Sequence, residues 1–442
     1  MQRLAIAALP TLVVFALVSL TPAALAASPS SPTPGAAGEG AETLVLHATR
    51  IYPSPDSPPI DGGTVLIRDG RIVAVGTREA VSVPKDAKPL QCAAGVLVAG
   101  FQNSHVHFTE PQWNDAATQP AEELSRHLTR MLVRYGFTTV VDVGSMRDNT
   151  VALRERIARG EVAGPRILTA GIPLYPHDGI PFYMRDLPPE LLAQLPQPAS
   201  AEEALGVVRA NLDRGADLTK LFVATPQLDR KVAYMAPEVV RAAADETHRR
   251  QRLVVAHPTN QQGIRLAIAS GIDVLMHTTI EDSPGVWEPA LIEDLLAHDV
   301  AVVPTLKLWP YELKKARLSA KVIEVATGDA IEQVRVFAAA GGLVLFGTDV
   351  GYMSEYDPSE EYVLMSHALA PMQILASLTT APAARWKEES RRGRIAPGMD
   401  ADLVVLQDDP ARGVGNFARV ACTIRQGRVL YAGDPAARTH EN

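Results

Sequence analysis

The chain has 442 residues, of which 47% are hydrophobic and 21% are charged, and its formal net charge at pH 7 is −8. This size and apolar content suit one large globular domain or two to three smaller ones. Acidic and basic residues are interspersed without a basic block, which excludes nucleic acid as an expected partner.

The N-terminus has the pattern of a secretory signal peptide over residues 1–26. A positive charge precedes an apolar run at residues 4–20, and Ala24-Leu25-Ala26 supplies a small-residue cleavage site. We therefore expect an exported protein, periplasmic or extracellular, without membrane attachment after cleavage. An uncleaved membrane anchor is the alternative. Residues 27–42 are rich in Pro, Ser, Ala and Gly, a composition that predicts a disordered linker.

Two hairpin-like segments with similar local sequence lie at opposite ends of the chain. Residues 67–76, with a tight Asp69-Gly70 turn, are echoed by residues 424–433. This similarity predicts a small β-sandwich domain assembled from both termini, namely residues 43–98 and 391–442.

The chain contains two cysteines, Cys92 and Cys422, which are too few for a cysteine-based zinc cluster. If the two ends of the chain meet, these cysteines could form a disulfide. A disulfide and two free buried thiols are equally open interpretations at this point.

Between the two ends, strand-like and helix-like segments alternate. Strands are predicted at 96–103, 138–143, 166–170, 218–224, 253–257, 273–277, 301–306 and 343–348. The predicted helices include 121–135, 201–214, 237–250, 262–269 and 288–297. This alternation predicts the α/β fold class and a (β/α)₈ TIM barrel over residues 99–390. An open doubly wound sheet is the competing architecture, and the lack of a Gly-rich nucleotide fingerprint after the first strand disfavours it.

Several potential metal ligands stand where the predicted strands end, which is where functional side chains gather in a barrel. His105 and His107 close the first strand, and alternate residues of a strand point to one face, so both imidazoles can reach one divalent metal. The other candidates, each at the end of a later strand or within it, are Lys220, His257, His277 and Asp349. Any one of them alone would be an ordinary polar residue. Together on one rim they predict a metal site.

The chain resembles the amidohydrolase superfamily, and within it the imidazolonepropionase- and prolidase-like branch. The resemblance covers nearly the whole chain after the predicted signal peptide. It is carried by Gly136-Phe-Thr-Thr-Val-Val-Asp142, Gly164-Pro-Arg-Ile-Leu-Thr-Ala-Gly171, Gly347-Thr-Asp349 and Gly393-Arg-Ile-Ala-Pro-Gly-Met-Asp-Ala-Asp-Leu403. These motifs are specific for the superfamily but not for a substrate.

The resemblance implies a metal-activated hydroxide that attacks a carbonyl or related centre. It assigns His105 and His107 to the more buried metal, and His257 and His277 to a second one. Lys220 matches the position that, in binuclear members, reacts with carbon dioxide to form a bridging carbamate. The implied cofactors are divalent metals, with two zinc ions per chain as the first choice and manganese, cobalt or iron as alternatives.

By the same resemblance, Asp349 binds a metal and acts as the general base, which then passes its proton to the leaving amine. The chain departs from the family pattern in three ways near the site, and one of them is Pro258-Thr259-Asn260 after His257, where many relatives have a small residue and glycine. Asn103 replaces an aspartate before the first histidines, and it can still form hydrogen bonds behind the ligands. Asn260 stands where deaminase relatives have the glutamate of His-x-x-Glu, so deamination is not expected.

Candidate substrate contacts lie in the long loop after the third predicted strand, residues 172–200, and in the loops after the last two strands. They are Tyr175, His177, Tyr183, Arg185, Lys307, Trp309 and Tyr352. A cation among them would hold a substrate carboxylate. The alternative interpretation is a surface loop with ordinary aromatic residues.

These features predict an exported metal-dependent hydrolase of small molecules that cleaves carbon–nitrogen bonds, as in dipeptides or N-acyl amino acids. Hydrolysis of lactones, esters or cyclic amides, such as an imidazolone ring, by the same site is the alternative. A non-catalytic binding protein on the same barrel is a remote third hypothesis, because all six candidate ligands are present. A homo-oligomer is compatible with the sequence.

The mature protein is expected to begin at Ala27, because the small-residue cleavage pattern ends at Ala26. N-terminal sequencing of the protein recovered from the periplasm or the medium tests this expectation. An intact N-terminus on membrane-bound protein would favour the uncleaved anchor instead.

Overall fold

The computed structural model describes residues 42–92, 94–228 and 231–433. The predicted signal peptide, and all but the last residue of the predicted linker, lie outside the described residues. Within the described part of the chain, none of the helices combines the length and the hydropathy that crossing a membrane requires.

The described residues form both parallel and antiparallel sheets. The strands are β1 (Thr43–His47), β2 (Arg50–Ile51), β3 (Ile60–Asp61), β4 (Gly63–Arg68), β5 (Arg71–Thr77), β6 (Lys88–Pro89), β7 (Val96–Ala99), β8 (Phe101–Val106), β9 (Phe137–Asp142), β10 (Arg166–Thr169), β11 (Leu218–Phe222), β12 (Ala224–Pro226), β13 (Val232–Tyr234), β14 (Leu253–His257), β15 (Val274–Met276), β16 (Ala301–Val303), β17 (Leu403–Leu406), β18 (Val420–Arg425) and β19 (Arg428–Ala432).

Helices follow most of the central strands, as the alternating pattern predicts. They are α1 (Ala121–Met131), α2 (Arg147–Ala158), α3 (Pro189–Leu192), α4 (Ala201–Asp213), α5 (Pro237–Arg249), α6 (Gln261–Ala269), α7 (Pro289–Ala297), α8 (Leu308–Lys315), α9 (Ala320–Ala339), α10 (Ser359–Ser366), α11 (Pro371–Leu378) and α12 (Thr380–Arg385).

The central strands form two parallel sheets, with the orders β10-β9-β8 and β11-β14-β15-β16. They are not hydrogen-bonded into one closed sheet. Isolated parallel bridges span the gaps, at Leu174–Leu221, Val302–Val344 and Val106–Val350. The arrangement therefore has the strand order of a barrel without continuous strand pairing around it.

The prediction of a last strand at 343–348 was wrong, because the structure has only isolated bridges there. The backbone N–H of Leu345 donates to Val302, whereas that of Phe346 donates to Ser377 outside the sheet. Asp349 then takes a positive φ of 58°. A segment whose N–H groups point to different partners, and which turns sharply at its end, cannot form a regular ladder.

Side chains alternate between the two faces of the parallel strands, and both faces are buried. In β14, Val255 joins an apolar cluster with Leu218 and Met276, whereas Val254 and Ala256 join the larger cluster that includes the helices. The burial of both faces accounts for the near-continuous apolar runs in the sequence. Because Lys220 pairs in register with Val255, and His257 is two residues further along β14, the side chains of Lys220 and His257 share the face of Val255.

The first predicted strand, 96–103, is divided between two sheets at Gly100. β7 pairs with β17 and β2 in the terminal sheet, whereas β8 pairs with β9 in the parallel sheet. A Cβ on Gly100 would lie 2.2 Å from Oγ1 of Thr138. The close approach of Thr138 therefore requires glycine where the chain passes from one sheet to the other.

Two further sheets lie outside the central strands: β5-β4-β1-β6, built from the N-terminal part alone, and β19-β18-β17-β7-β2-β3, which combines strands from both chain ends. Both predicted hairpins are present, as β4–β5 and β18–β19. Side chains from the two sheets, such as Ile67 and Ile424, share one apolar cluster. The β-sandwich assignment and the predicted domain boundaries stay predictions.

The two cysteines lie together in this region. Cys92 and Cys422 form a disulfide across a sequence separation of 330 residues, with their Cα atoms 5.8 Å apart. Of the two interpretations left open by the sequence, the structure has the disulfide. It connects the segment before β7 to β18 and so links the two ends of the chain.

Candidate metal centre

Two histidines at the end of β8 meet one aspartate carboxylate. Nε2 of His105 lies 3.2 Å, and Nε2 of His107 lies 3.0 Å, from the same oxygen of Asp349, Oδ1. The two Nε2 atoms are 3.3 Å apart. Three potential ligand atoms therefore converge at one point, as the His-x-His spacing predicts.

The backbone explains this convergence. The N–H of Asp349 donates to the carbonyl of His105 at 2.9 Å, and the N–H of His107 donates to that of Val350 at 2.8 Å. A Cβ on Gly351, whose φ is 96°, would lie 1.9 Å from the carbonyl oxygen of His107. Only glycine permits this approach, so the end of the parallel array fixes both imidazoles beside the carboxylate.

Histidines from two further strands complete the group. Nδ1 of His277 lies 4.0 Å from Oδ2 of Asp349, and its ring centroid is 4.6 Å from that of His105. His105, His277 and Asp349 each offer a ligand atom within 4.8 Å of the others. The His257 ring lies 4.8 Å from the His277 ring.

Lys220 is buried on the adjacent strand, and its Nζ lies 5.0 Å from the ring centroid of Phe222. Phe222 also stacks on His257, with the ring centroids 4.9 Å apart. The structure therefore brings all six predicted ligands to one region. Their roles as ligands stay a prediction.

Hydrogen bonds behind the site orient the first two histidines. Nδ1 of His107 donates to the carbonyl of Gly144 at 2.7 Å, which leaves Nε2 as the nitrogen that can bind a metal. Asn103 accepts from the N–H of His105 at 3.1 Å and donates to Oγ1 of Thr348 at 2.7 Å. Asn103 therefore supports the strand end from behind, as expected.

Burial and mutual contact set the protonation of the four histidines and the aspartate. Burial lowers the pKa of His105 to about 4 and holds the pKa of His257 and of His277 well below the usual imidazole value. Burial also opposes the charged form of His107, but contact with Asp349 raises the pKa of this histidine overall. Although burial disfavours an ionised Asp349, contact with His105 and His107 holds its pKa well below the usual value.

The donor set fits a divalent cation. Burial favours the neutral form of His105, His257 and His277, and the carboxyl of Asp349 is held ionised, which are the protonation states that metal binding requires. Within the described part of the chain, three buried polar atoms here have no hydrogen-bond partner: Nδ1 of His105, Nδ1 of His257 and Oδ1 of Asp349. Buried polar atoms normally have partners, so the chemistry of this group is that of a metal site.

The predicted aromatic contacts lie around this cluster. The Trp309 ring is 6.2 Å from the His277 ring, and its Nε1 donates to Oγ1 of Thr278 at 2.7 Å. Tyr183 packs on Tyr352, with the ring centroids 5.8 Å apart. These three rings stay candidates for the substrate wall.

Tyr175 lies deeper than expected for a substrate contact. Its ring is only 3% exposed and stacks on Phe222, with the ring centroids 4.6 Å apart. Since Phe222 in turn stacks on His257, Tyr175 supports this histidine from behind.

The predicted cations are engaged elsewhere. Nζ of Lys307 donates to the carbonyls of Glu355 and Asp357 at 2.8 and 2.9 Å, which corrects the expectation that this ammonium is free for a substrate carboxylate. Arg185 is exposed and donates to Oε1 of Gln227 at 2.6 Å. His177 is also exposed, with Nδ1 3.3 Å from the carbonyl of Gln197.

Sequence reasoning missed two residues that support the histidines. Asp142 is buried at the end of β9 and accepts from Ser145 and from Thr169, which fixes the loop that presents the Gly144 carbonyl to His107. Its position at a strand end was the available signal. Oγ1 of Thr305 lies 2.6 Å from Nδ1 of His277, and no sequence pattern pointed to it.

Residues 96–430 match the amidohydrolase family. The match covers most of the chain, so the chain belongs to this family of metal-dependent hydrolases. This membership confirms the resemblance seen in the sequence, and it makes the protein a hydrolase that acts on carbon–nitrogen bonds.

Individual relatives are distant but extend over nearly the whole length. Ochratoxinase of Aspergillus niger is 23% identical over 434 residues, covering 90% of this chain and 88% of its own. A Xaa-Pro dipeptidase with bound methionine in its active site has a TM-score of 0.75 at 22% identity, covering 89% of this chain and 100% of its own. Phenylurea hydrolase B has a TM-score of 0.70 at 19% identity, covering 90% and 98%. These likenesses confirm an α/β, TIM-barrel-like fold.

Gly351→Ala is expected to disturb the metal centre, because the added Cβ would meet the carbonyl oxygen of His107 at 1.9 Å. Gly341→Ala is the matched control, since Gly341 has a similar φ of 91° but nothing within 4 Å of the added Cβ. We expect the control to lose about 1–2 kcal/mol of unfolding free energy and to keep its metal. Gly351→Ala should lose more, about 3 kcal/mol or beyond, together with bound metal.

Denaturant unfolding and elemental analysis of both variants give the two quantities. Equal losses of stability, with unchanged metal content, would show that the Gly351 contact does not position His107.

Proposed function

We propose that this chain is an exported hydrolase that cleaves the amide bond of small substrates such as dipeptides or N-acyl amino acids at a binuclear metal centre. One observation carries the proposal: His105 and His107 meet Oδ1 of Asp349 at 3.2 and 3.0 Å, with His277 and its neighbour His257 beside them. This is a buried group of imidazole nitrogen donors around one carboxylate.

In this proposal, His105 and His107 hold one divalent metal and His257 and His277 hold the other, with Asp349 at the first. Imidazole and carboxylate donors suit zinc, which we place first, ahead of manganese, cobalt or iron. When bound, such metals polarise a carbonyl oxygen and lower the pKa of a water molecule.

Lys220 is proposed to become a carbamate, which would help to hold the metals. Its neutral amine would add carbon dioxide and lose one proton, which gives an anion where two cations favour one. The support is positional, since Lys220 is 1% exposed and pairs in register with Val255, two residues before His257.

Asp349 is proposed to move the proton of the reaction. Its carboxylate accepts a proton from the attacking water and returns it to the nitrogen of the leaving amine as the carbon–nitrogen bond breaks. The products are a carboxylic acid and an amine, which together contain all the atoms of the substrate and of one water molecule. The near-complete burial of Asp349, which is 4% exposed, keeps bulk water from competing for this proton.

The rings of Tyr183, Trp309 and Tyr352 are proposed to line the substrate wall beside His277. They offer apolar surface, and Trp309 and Tyr352 have their polar atoms committed to Thr278 and Glu312. An apolar acyl group or side chain suits such a wall. The methionine in the active site of the Xaa-Pro dipeptidase relative supports an amino acid as one product.

The proposal of export rests on the signal-peptide pattern at residues 1–26 and on the Cys92–Cys422 disulfide. Disulfides persist in oxidising compartments, which include the periplasm and the extracellular space. We further propose that residues 99–390 act as one (β/α)₈ catalytic barrel, with residues 43–98 and 391–442 as a β-sandwich domain beside it.

Asp349→Asn should reduce amine release by about 100-fold or more, because the amide cannot accept the proton. The measurement is amine release from a panel of dipeptides and N-acyl amino acids, with zinc and bicarbonate supplied. Asp408→Asn is the control, since Asp408 is a surface residue whose carboxylate lies 2.7 Å from Arg419. Metal-loaded protein that is silent across the whole panel would contradict the amidase proposal and favour lactones, esters or cyclic amides.

A further inference from the structure

A left-handed residue follows β16 beside the metal centre. Thr305 is fully buried and has a φ of 46°, which is uncommon for a β-branched residue. Its hydroxyl lies 2.6 Å from Nδ1 of His277 and donates to the carbonyl of Pro304 at 2.8 Å. Because its single hydrogen goes to Pro304, the hydroxyl accepts from His277, which leaves Nε2 as the lone-pair nitrogen of this imidazole.

A buried carboxylate on α10 fixes this turn. Glu361 is 0% exposed, and its two oxygens accept from the N–H groups of the next two residues, Leu306 at 2.9 Å and Lys307 at 2.7 Å. Each oxygen of the carboxylate therefore holds one backbone group. The left-handed conformation of Thr305 persists because the groups that follow it are fixed.

The same turn is tied to the segment that follows Asp349. Nζ of Lys307, which is 2% exposed, donates to the carbonyls of Glu355 and Asp357, between Asp349 and α10. The turn beside His277 and the segment after Asp349 are thereby joined through Lys307, whose backbone N–H donates to Glu361 and whose Nζ donates to the two carbonyls. These two ligands come from different strands, so this link holds their supporting loops in one arrangement.

We propose that Glu361 is a positioning residue of the metal centre, which acts through the 305–307 turn and the Thr305 hydroxyl to fix the ring of His277. This inference rests on the proposed function, because it requires that His277 bind a metal. Among the described residues, Glu361 forms no hydrogen bond or ion pair with the ligands or the proposed substrate wall, and its hydrogen bonds go to the backbone of the turn. Outer partners of this kind fix the tautomer and the orientation of a ligand imidazole.

The test is cobalt binding by the full chain after its metal has been removed, followed by visible absorption during titration with Co²⁺. Glu361→Gln keeps the size of the side chain but replaces one acceptor oxygen with a donor that faces an N–H group. We expect Co²⁺ binding at the His277 site to weaken about 10–100-fold. Glu360→Gln, at an exposed neighbouring position in the first turn of α10, is the matched control and should bind as the wild type does.

If Glu361→Gln does not fold, two variants of Thr305 test the inference in its place. Thr305→Val retains the shape but lacks the acceptor, so it should weaken Co²⁺ binding to a similar extent. Thr305→Ser retains the hydroxyl and should bind as the wild type does. The double variant Glu361→Gln/Thr305→Val should lose little more than either single variant, because both act through one path.

Each outcome separates this inference from the proposed function. If the Glu361→Gln and Thr305→Val proteins lose thermal stability but bind Co²⁺ with the wild-type affinity and spectrum, Glu361 is only a structural anchor and the inference fails. If the wild-type chain itself binds no Co²⁺, the proposed metal centre fails, and the inference falls with it.

Discussion

Burial of the Asp349 carboxylate among His105, His107 and His277 is the interaction on which the rest of the structure depends. A buried anion is costly unless it is paired. A divalent cation held by these side chains would complete the pairing, and its binding would then stabilise the folded chain. The same residues also hold the fold together, because the backbone N–H of Asp349 donates to the carbonyl of His105 and so joins the two ends of the parallel array.

The supports of two histidines share one construction, although one lies at the end of β9 and the other follows β16. In each case a buried carboxylate holds a loop through hydrogen bonds, and a group in that loop meets Nδ1 of the imidazole. Asp142 fixes the loop that presents the Gly144 carbonyl to His107. Glu361 fixes the turn that presents Thr305 to His277. Buried carboxyl groups one step behind the ligands thus provide orientation through hydrogen bonds.

The candidate ligands were predictable from sequence because a strand period and a strand end are local signals, as at His105 and His257. The support from Glu361 was not predictable, since its contact with the 305–307 turn joins residues about fifty positions apart, and no pattern at either end reveals it. Lys307 was misjudged for a related reason: a lysine in a loop suggests a free cation, whereas tertiary contacts bury this one on two carbonyls. The strand at 96–103 was correct in type, but its division at Gly100 depends on Thr138 from another strand.

Anomalous diffraction at the zinc absorption edge, from crystals of the protein grown with zinc and bicarbonate, tests the central claim most directly. The account predicts two peaks inside the cluster, one bounded by His105, His107 and Asp349 and the other by His257 and His277. Density joining Nζ of Lys220 to both peaks would establish the carbamate. Crystals without a peak among these side chains, at saturating zinc, would contradict the assignment of this site as a metal centre.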